Sequence, residues 1–553
     1  MNKKSFFGIL LVSTFAMLCA TAFIEGGGDV LSAEITTGMC GENLTWSFDS
    51  DTETLTIGGT GAMRGYGYSQ SFTPWRSLPV TSVVLEHGVT SIGDYAFYHS
   101  RSHLTEISMP TVTSIGNNAF RECASLTSVS MPLVTNIYSS AFSNCTALTS
   151  VSMPLVTSIG FGAFVDCYSL EKITMPSSVT NIGNNTFSNC NKLAEINVDP
   201  NNNHYSSVDG VLLNKEKTVL VCYPSGKGKE YETPASVTSI GDYAFSLCRS
   251  LTKISMPLVT SIGDDAFSLC TSLTEISMPL VTSIGDDAFG GCRSLTEISM
   301  PLVTSIGDDA FSVCTSLTEI SMPLVTSIGP GVFRSCESLK EISMPLVTSI
   351  GEWTFHSSCL TRVSMPLVTS IGNNAFWECR FLTEISMPLV TSIGNDAFIN
   401  CTSLTGVSMP LVTSIGYNAF FNCTSLTRAS MPLVTSIDDA AFFNCTSLTR
   451  VSMPLVISIG GAAFSNCISL TEISMPSSTT IGGNDAFNLG NSSSNVECKV
   501  YTDKVGFLAP YSNNYTTFEY IVPDDEMPIM YILAAGIVAI ITIITAVVII
   551  RRR

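Results

Sequence analysis

Basic charge is scarce in this chain: 26 Lys and Arg stand against 45 Asp and Glu, a formal net charge of -19 at pH 7. Nucleic acid is excluded as a partner by that balance, because phosphates demand a basic face. An acidic surface also resists self-association. Catalytic signatures are missing too. There is no His-Glu-x-x-His, no Cys-x-x-Cys and no Gly-x-Ser-x-Gly, so neither a zinc hydrolase nor a serine hydrolase is signalled. The five histidines, His87, His99, His103, His204 and His356, are scattered; His99 and His103, four apart in an irregular join between repeats, read as surface imidazoles. No enzyme, cofactor or metal is expected.

What the chain has instead is repetition. The stretch Phe267 to Phe289, FSLCTSLTEISMPLVTSIGDDAF, recurs with its closing phenylalanine at Phe97, Phe120, Phe142, Phe164 and Phe187, then from Phe245 to Phe487, mostly every twenty-two residues. A fixed period of that length marks a solenoid in the leucine-rich-repeat range. Within one unit Leu273, Ile276, Met278, Val281, Ile284, Ala288, Phe289 and Cys292 are apolar, while Thr274, Glu275, Ser277, Asp286 and Asp287 are polar. The spacing predicts a strand over Leu273 to Met278, a turn at Pro279, and a second extended piece through Val281 and Ile284. The acidic start of DDAFSxC suits a single helical or 3₁₀ turn with carboxylates at its positive end. A lone coil cannot bury its apolar side, so stacking must supply the core, with Phe and Ile ladders along a rod or arc on the order of 80 Å.

The unit resembles the BspA-like leucine-rich repeats of bacterial, archaeal and protist surface proteins, L-x-x-I-x-[LM]-P-x-x-V-x-x-I-G-x-x-A-F-x-x-C, as at Leu170 to Cys190, LEKITMPSSVTNIGNNTFSNC. It covers about three quarters of the chain. The common unit replaces a Ser-Ser pair, as at Ser177-Ser178, with one leucine, as at Leu280; the resulting leucine ladder is buried or an exposed apolar stripe. The segment CGENLTWSFD, with GTGAM and TPW, is similar to the N-terminal element of the same proteins. The resemblance implies a leucine-rich-repeat solenoid of short parallel β-strands with β-rich caps, on a surface protein adhering to host or neighbouring cells.

The remaining pieces are placed by composition. Asn2-Lys3-Lys4, the apolar run Phe6 to Leu18 and Ala20-Thr21-Ala22 read as a secretory signal over residues 1–22, with cleavage as late as 33. Residues 34–79 read as an N-terminal β cap, 80–196 and 234–490 as repeats, 197–233 as a β-hairpin island, and 491–528 as a closing cap and acidic stalk. Ile529 to Ile550 is a transmembrane helix in expectation, and Arg551-Arg552-Arg553 a cytoplasmic tail that puts the repeats outside. The expected setting is thus a cell membrane crossed once.

Of nineteen cysteines, fourteen occupy the place three residues after the phenylalanine, and a fifteenth, Cys359, is displaced from it by one. Thiols in a register-matched ladder point the same way and do not bridge, so buried free thiols are expected as small apolar fillers. Two acidic stripes recur, Glu275, Glu297, Glu319 and Glu341 on the strand, and Asp264-Asp265, Asp286-Asp287 and Asp308-Asp309 after it. They are solvated, or else they gather a cation. The strand position then varies through Arg362, Glu384, Gly406, Arg428, Arg450 and Glu472. Those charged residues from Glu275 to Glu472 form the candidate binding face, for extracellular protein or glycan partners; a structural coat or spacer without a ligand is the alternative. Asn144, Asn400, Asn422 and Asn444 begin Asn-Cys-Thr triplets that read as capped turns rather than glycan sites, with Asn43, Asn491 and Asn514 the freer sequons.

Overall fold

The computed structural model describes residues 36–67, 73–100, 103–490, 495–502, 506–512 and 516–521. The signal segment, the expected transmembrane helix with its tail, and Asn491 and Asn514 fall outside them. Among the described residues no helix is long and apolar enough to cross a membrane.

Each coil has two short strands, such as Glu275–Ser277 and Ser283–Ile284, and each strand pairs in parallel with its counterpart in a neighbouring coil along most of the array. The register is one coil per repeat, Ser261 opposite Ser283 and Ile262 opposite Ile284. Inward positions are dry: Leu273, Met278, Val281, Ile284, Ala288, Phe289 and Cys292 are buried. Phe rings stack along the solenoid, 5.1 Å apart at Phe267 and Phe289 with planes only 2° from parallel. Threonines seal both strand edges: Thr274 Oγ1 donates to the carbonyl of Thr252 at 3.0 Å, and Thr282 Oγ1 to that of Thr260 at 3.1 Å. The leucine of Pro279-Leu280 points out, 38% exposed, with Leu258, Leu302 and Leu324 in line, so the ladder is a surface stripe.

The expected helical turn at DDAFSxC does not form. Asp287, Phe289 and Gly291 each give their N–H to the next coil, to the carbonyls of Asp308, Ala310 and Ser312 at 2.8 Å. The residues between them close within the coil, Gly290 N–H to Asp287 and Cys292 N–H to Phe289. Left-handed backbone at Asp287 (φ 49) and Gly291 (φ 71) makes this alternation possible. A helix would direct every N–H along its own axis; here half of them zip one coil to the next. Carboxylates at this position therefore face no helix dipole. Among the described residues the helical element is a 3₁₀ turn, Ala509–Tyr511, in the C-terminal cap.

The first coil is closed by a sheet of β1 (Thr37–Met39), β2 (Leu44–Asp49) and β3 (Thr54–Gly59). β1 and β2, and β2 and β3, pair antiparallel; β3 then pairs in parallel with the first repeat strand, Leu55 opposite Val83. Trp75 caps the ring ladder, stacked 5.7 Å from Phe97 and donating its Nε1–H to Ala96 at 2.9 Å. The island forms a hairpin, Tyr205–Val208 against Val211–Asn214, turned at Asp209 (φ 49) and Gly210 (φ 73) as a two-residue turn requires. Its last strand, Val219–Cys222, resumes parallel pairing with Ser239–Ile240, and Tyr223 stacks on Phe245 at 4.9 Å. Stacking thus passes through the island: Leu212 packs into the core before it, Val211 and Leu213 into the core after it.

Candidate functional site: the outward strand face

The first strand of most coils alternates, burying its middle residue and exposing the flanking two, as in Glu297–Ser299; in Glu275–Ser277 and Arg428–Ser430 the middle residue is half-buried. That alternation carries the whole candidate column to the surface. Glu275, Glu297, Glu319, Glu341, Arg362, Glu384, Arg428 and Arg450 are exposed, and Glu472 is half-buried. One residue per coil falls in register, so Glu297 lies opposite Glu319, Glu341 opposite Arg362, Arg428 opposite Arg450, and Arg450 opposite Glu472.

Three pairs neutralise part of the column. Arg450 Nε meets Glu472 Oε2 at 2.6 Å, and Arg362 Nη1 meets Glu341 Oε1 at 3.6 Å. The third uses a residue that sequence reasoning left out: Lys253 Nζ meets Glu275 Oε2 at 2.7 Å, and that carboxylate raises the lysine's pKa. Its signal was available, because Lys253 is one period before Glu275. Glu297, Glu319, Glu384 and Arg428 have no ion pair among the described residues. Exposed pairs contribute about 0–1 kcal/mol each, so these side chains are dispensable for the fold and available to a partner.

The second acidic stripe is structural. Asp264 Oδ1 accepts the backbone N–H of Asp286 at 2.9 Å, and Asp286 Oδ1 that of Asp308 at 2.8 Å, so one carboxylate per coil holds down the next. Asn373 and Asn395 do the same for Asn395 and Tyr417. The neighbouring Asp265, Asp287 and Asp309 take the left-handed position, which Asp and Asn tolerate. Burial first, then the flanking Asp265 and Asp309, push the Asp287 carboxyl up to about 6. Among the described residues no three His, Cys, Asp or Glu are grouped to hold a metal ion.

The eighteen described cysteines are free. They do more than fill space: Cys270 Sγ donates to the carbonyl of Phe245 at 3.0 Å, Cys292 to Phe267 at 3.2 Å, and so on from coil to coil. Burial pushes the Cys314 thiol up to about 12. At the short coil the ladder place is taken by Ser358, which is buried and lies 3.3 Å from Cys379 Sγ, leaving Cys359 half-buried to one side. The triplet asparagines are turn residues, as read: Asn400, Asn422 and Asn444 have left-handed backbone, and their side-chain amides bond in series, Asn422 to Asn400 at 2.8 Å and Asn444 to Asn422 at 2.6 Å.

A parallel solenoid with a polar, ligand-accessible strand face and a sealed interior defines a leucine-rich-repeat binding or scaffold protein. More particularly, the chain belongs to the BspA-type leucine-rich repeat family: the model of the BspA type leucine rich repeat region (6 copies) matches residues 70–207, 222–323, 260–383 and 369–497. No curated protein matches the sequence. Among solved structures, a leucine-rich repeat protein from Eubacterium ventriosum is 28% identical, with a TM-score of 0.53 over 66% of this chain and 94% of that one. A leucine-rich repeat protein from Bacteroides ovatus is 24% identical over 88% of this chain and all of that one, TM-score 0.39. The pneumococcal vaccine antigen PcpA is 17% identical over 88% and 98%, TM-score 0.41.

Proposed function

We propose that this is a cell-surface protein that offers the outward strand face of its solenoid to extracellular protein or glycan partners, in adhesion or another cell-to-cell contact. The observation that carries the reading is the split between inside and outside. Inward positions repeat almost without change, whereas the exposed column runs Lys253, Glu275, Glu297, Glu319, Glu341, Arg362, Glu384, Gly406, Arg428, Arg450, Glu472. Many weak contacts along a rigid column add up to a firm one. The apolar segment 529–550 followed by three arginines supports attachment to a membrane with the repeats outside. The test is binding of the immobilised full-length chain to cells and matrix proteins. Replacing Glu319, Arg428 and Arg450 together by alanine should weaken it tenfold or more without lowering the melting temperature, and unchanged binding would refute the reading.

A coat or spacer without a ligand is the second reading, favoured by the three ion pairs that satisfy part of the column internally. Deleting residues 264–307, two coils in register, separates the two. A spacer keeps its role when shortened, and a shaped binding face loses its partner.

A further inference from the structure

One turn edge in the array is left unzipped. From Tyr95 to Asp166, and again from Tyr243 to Asn444, each coil sends three N–H groups to carbonyls of the coil after it, as Asp287, Phe289 and Gly291 do. Asn185, Phe187 and Asn189 hold those three places in the last coil before the island, and among the described residues their N–H groups meet no acceptor. Their own backbone is not the cause, because Asn185 (φ 61) and Asn189 (φ 60) keep the left-handed bend of the other coils. The bonds inside this coil are long as well. Ser188 N–H reaches Asn185 at 3.5 Å and Cys190 N–H reaches Phe187 at 3.4 Å, against 2.9 and 3.1 Å for the equivalent Gly290 and Cys292.

What these donors lack is a bend in the coil opposite. In a regular coil the carbonyl of Ile240 takes the N–H of Gly263, the N–H of Phe245 goes to Ala266, and the two residues are five apart. In the island coil the matching residues are Leu220, which takes the N–H of Gly241, and Tyr223, which gives its N–H to Ala244; they are three apart. The two missing residues are the ones that turn the edge. Among the described residues none between Lys217 and Tyr243 is left-handed, so no row of carbonyls is set out for Asn185, Phe187 and Asn189. In its place lies a slot of about 20 Å³ lined by Asn185, Phe187, Val221, Cys222 and Tyr243, enough for about one water molecule.

Two other lines stop at the same point. The sheet that runs through Ser114–Ile115 and Ser158–Ile159 ends at Asn181–Ile182, and Val219–Cys222 belongs to a new one. Phe187 stacks on Phe164 at 5.8 Å and, among the described residues, on no ring after it; the ladder resumes at Tyr223. The sheet also divides between Ser327–Ile328 and Ser349–Ile350, but there Gly331, Phe333 and Ser335 still zip and Phe333 stacks on Phe355. What crosses the seam is uneven. Beside the first strand, Ile196 N–H reaches Gly210 and Gly226 N–H reaches Leu193, both at 2.8 Å. The turn edge has an exposed contact from Asn184 Nδ2 to Asp242 Oδ2 at 3.2 Å and the edge of Phe161 against Tyr243. A solenoid is held by its nearest-neighbour interfaces, so the interface with the fewest bonds parts first. We infer that this seam is a joint: residues 37–198 and 219–521 are two cooperative blocks that part from the turn edge while the strand side holds. The column from Lys253 to Glu472 lies wholly in the second block, so opening moves the cap and the first repeats without deforming that face.

Hydrogen exchange of the full-length protein, read by mass spectrometry, tests the joint over residues 183–190, with 160–167 and 263–270 as the equivalent zipped segments. Amides at the seam should exchange about a hundredfold faster or more than in either. As urea rises, fragments before the seam and fragments after it should lose protection at different concentrations. Inserting Gly-Asp after Leu220 restores the five-residue spacing; it should slow exchange over 183–190 by about tenfold or more and bring the two losses together. No ligand enters these measurements, so their failure is distinct from that of the strand-face reading. Equal exchange in the three segments of the parent, or a single loss of protection across the seam, would overturn the joint whether or not the lengthened chain folds. A lengthened chain that melts as the parent does, yet keeps the fast exchange and the two separate losses, would overturn it as well.

Discussion

Two stretches of the array, Asp264 to Arg334 and Trp353 to Asn466, share one backbone and carry opposite turn edges. In the first, the left-handed position holds Asp265, Asp287 and Asp309, and the residue after the phenylalanine is Ser268, Gly290 or Ser312. In the second, Trp353, Asn374, Asp396 and Asn418 take the left-handed place, and His356, Trp377, Ile399, Phe421 and Phe443 follow the phenylalanines. Trp353 stacks on Trp377 at 5.6 Å and Phe421 on Phe443 at 4.9 Å, a second aromatic row outside the first. Beneath both edges the buried rings stand 5.0 to 5.9 Å apart, and the backbone angles hardly differ: φ is 53° at Asp265 and 58° at Trp353. A bulky tryptophan is held left-handed because its N–H must reach the carbonyl of Asn373 at 3.1 Å. Inter-coil hydrogen bonds and the inner ladder therefore decide the conformation, and the edge residues are free to differ.

The largest effect should come from breaking what the two stretches share. Phe289→Ala removes a ring packed 5.1 Å and 5.2 Å from its neighbours and should cost about 3–5 kcal/mol locally. Phe421→Ala, on the outer row, should cost less than about 1.5 kcal/mol. Because a solenoid opens by segments, native-state hydrogen exchange of the flanking coils is the measurement. Equal costs would mean that the outer row is core after all.

A smaller contrast lies in the thiols. Cys292→Ala deletes a buried group bonded to the Phe267 carbonyl and should cost about 1–2 kcal/mol. Cys359→Ala, beside the ladder, should cost under about 0.5 kcal/mol. Iodoacetamide added to native protein should label Cys359 and Cys222, the two half-buried thiols, well before any ladder cysteine. Rapid labelling of Cys292 would show that the interior is not sealed.

How far the sequence alone reaches is clear from these same residues. The period, the Phe ladder, the exposure of Glu275 to Glu472 and the Asp209-Gly210 turn were legible, because each follows from side-chain alternation or local turn chemistry. The Asp-Asp-Ala-Phe segment reads as a single helical or 3₁₀ turn, and neither forms there. Its true geometry is fixed by hydrogen bonds to a coil twenty-two residues on, which no local propensity encodes. For the same reason the role of Asp264 and Asp286 as backbone acceptors was missed. The Ser358 substitution could have been found: Phe355 and Phe376 are one residue closer than the period, and counting three from Phe355 lands on the serine.

The smallest expected effect sharpens the comparison through pH. Asp287 is flanked by Asp265, Asp286 and Asp309; Arg334 pairs with Asp309 at 3.0 Å, and its charge offsets only part of the crowding at Asp287. Its carboxyl titrates at about 6 against 3.8 in a free side chain, so between those values the folded state holds a proton the unfolded state has lost. Stability contributed by this group is therefore fully present below about pH 4 and is lost as pH rises through 6. The gap amounts to about 3 kcal/mol at face value and nearer 1 kcal/mol once partial exposure is allowed for. Asp287→Asn keeps the left-handed preference and removes the charge. It should raise the stability of this stretch by about 1 kcal/mol at pH 7.5, and the gain should vanish by pH 4. The equivalent place in the second stretch already holds Asn374 and Asn418, so Asn374→Asp should reproduce a weaker version of the same pH dependence there. Thermal melts across pH 4 to 8 decide it: a gain that persists at pH 4 would assign the effect to packing and not to the crowded carboxylates.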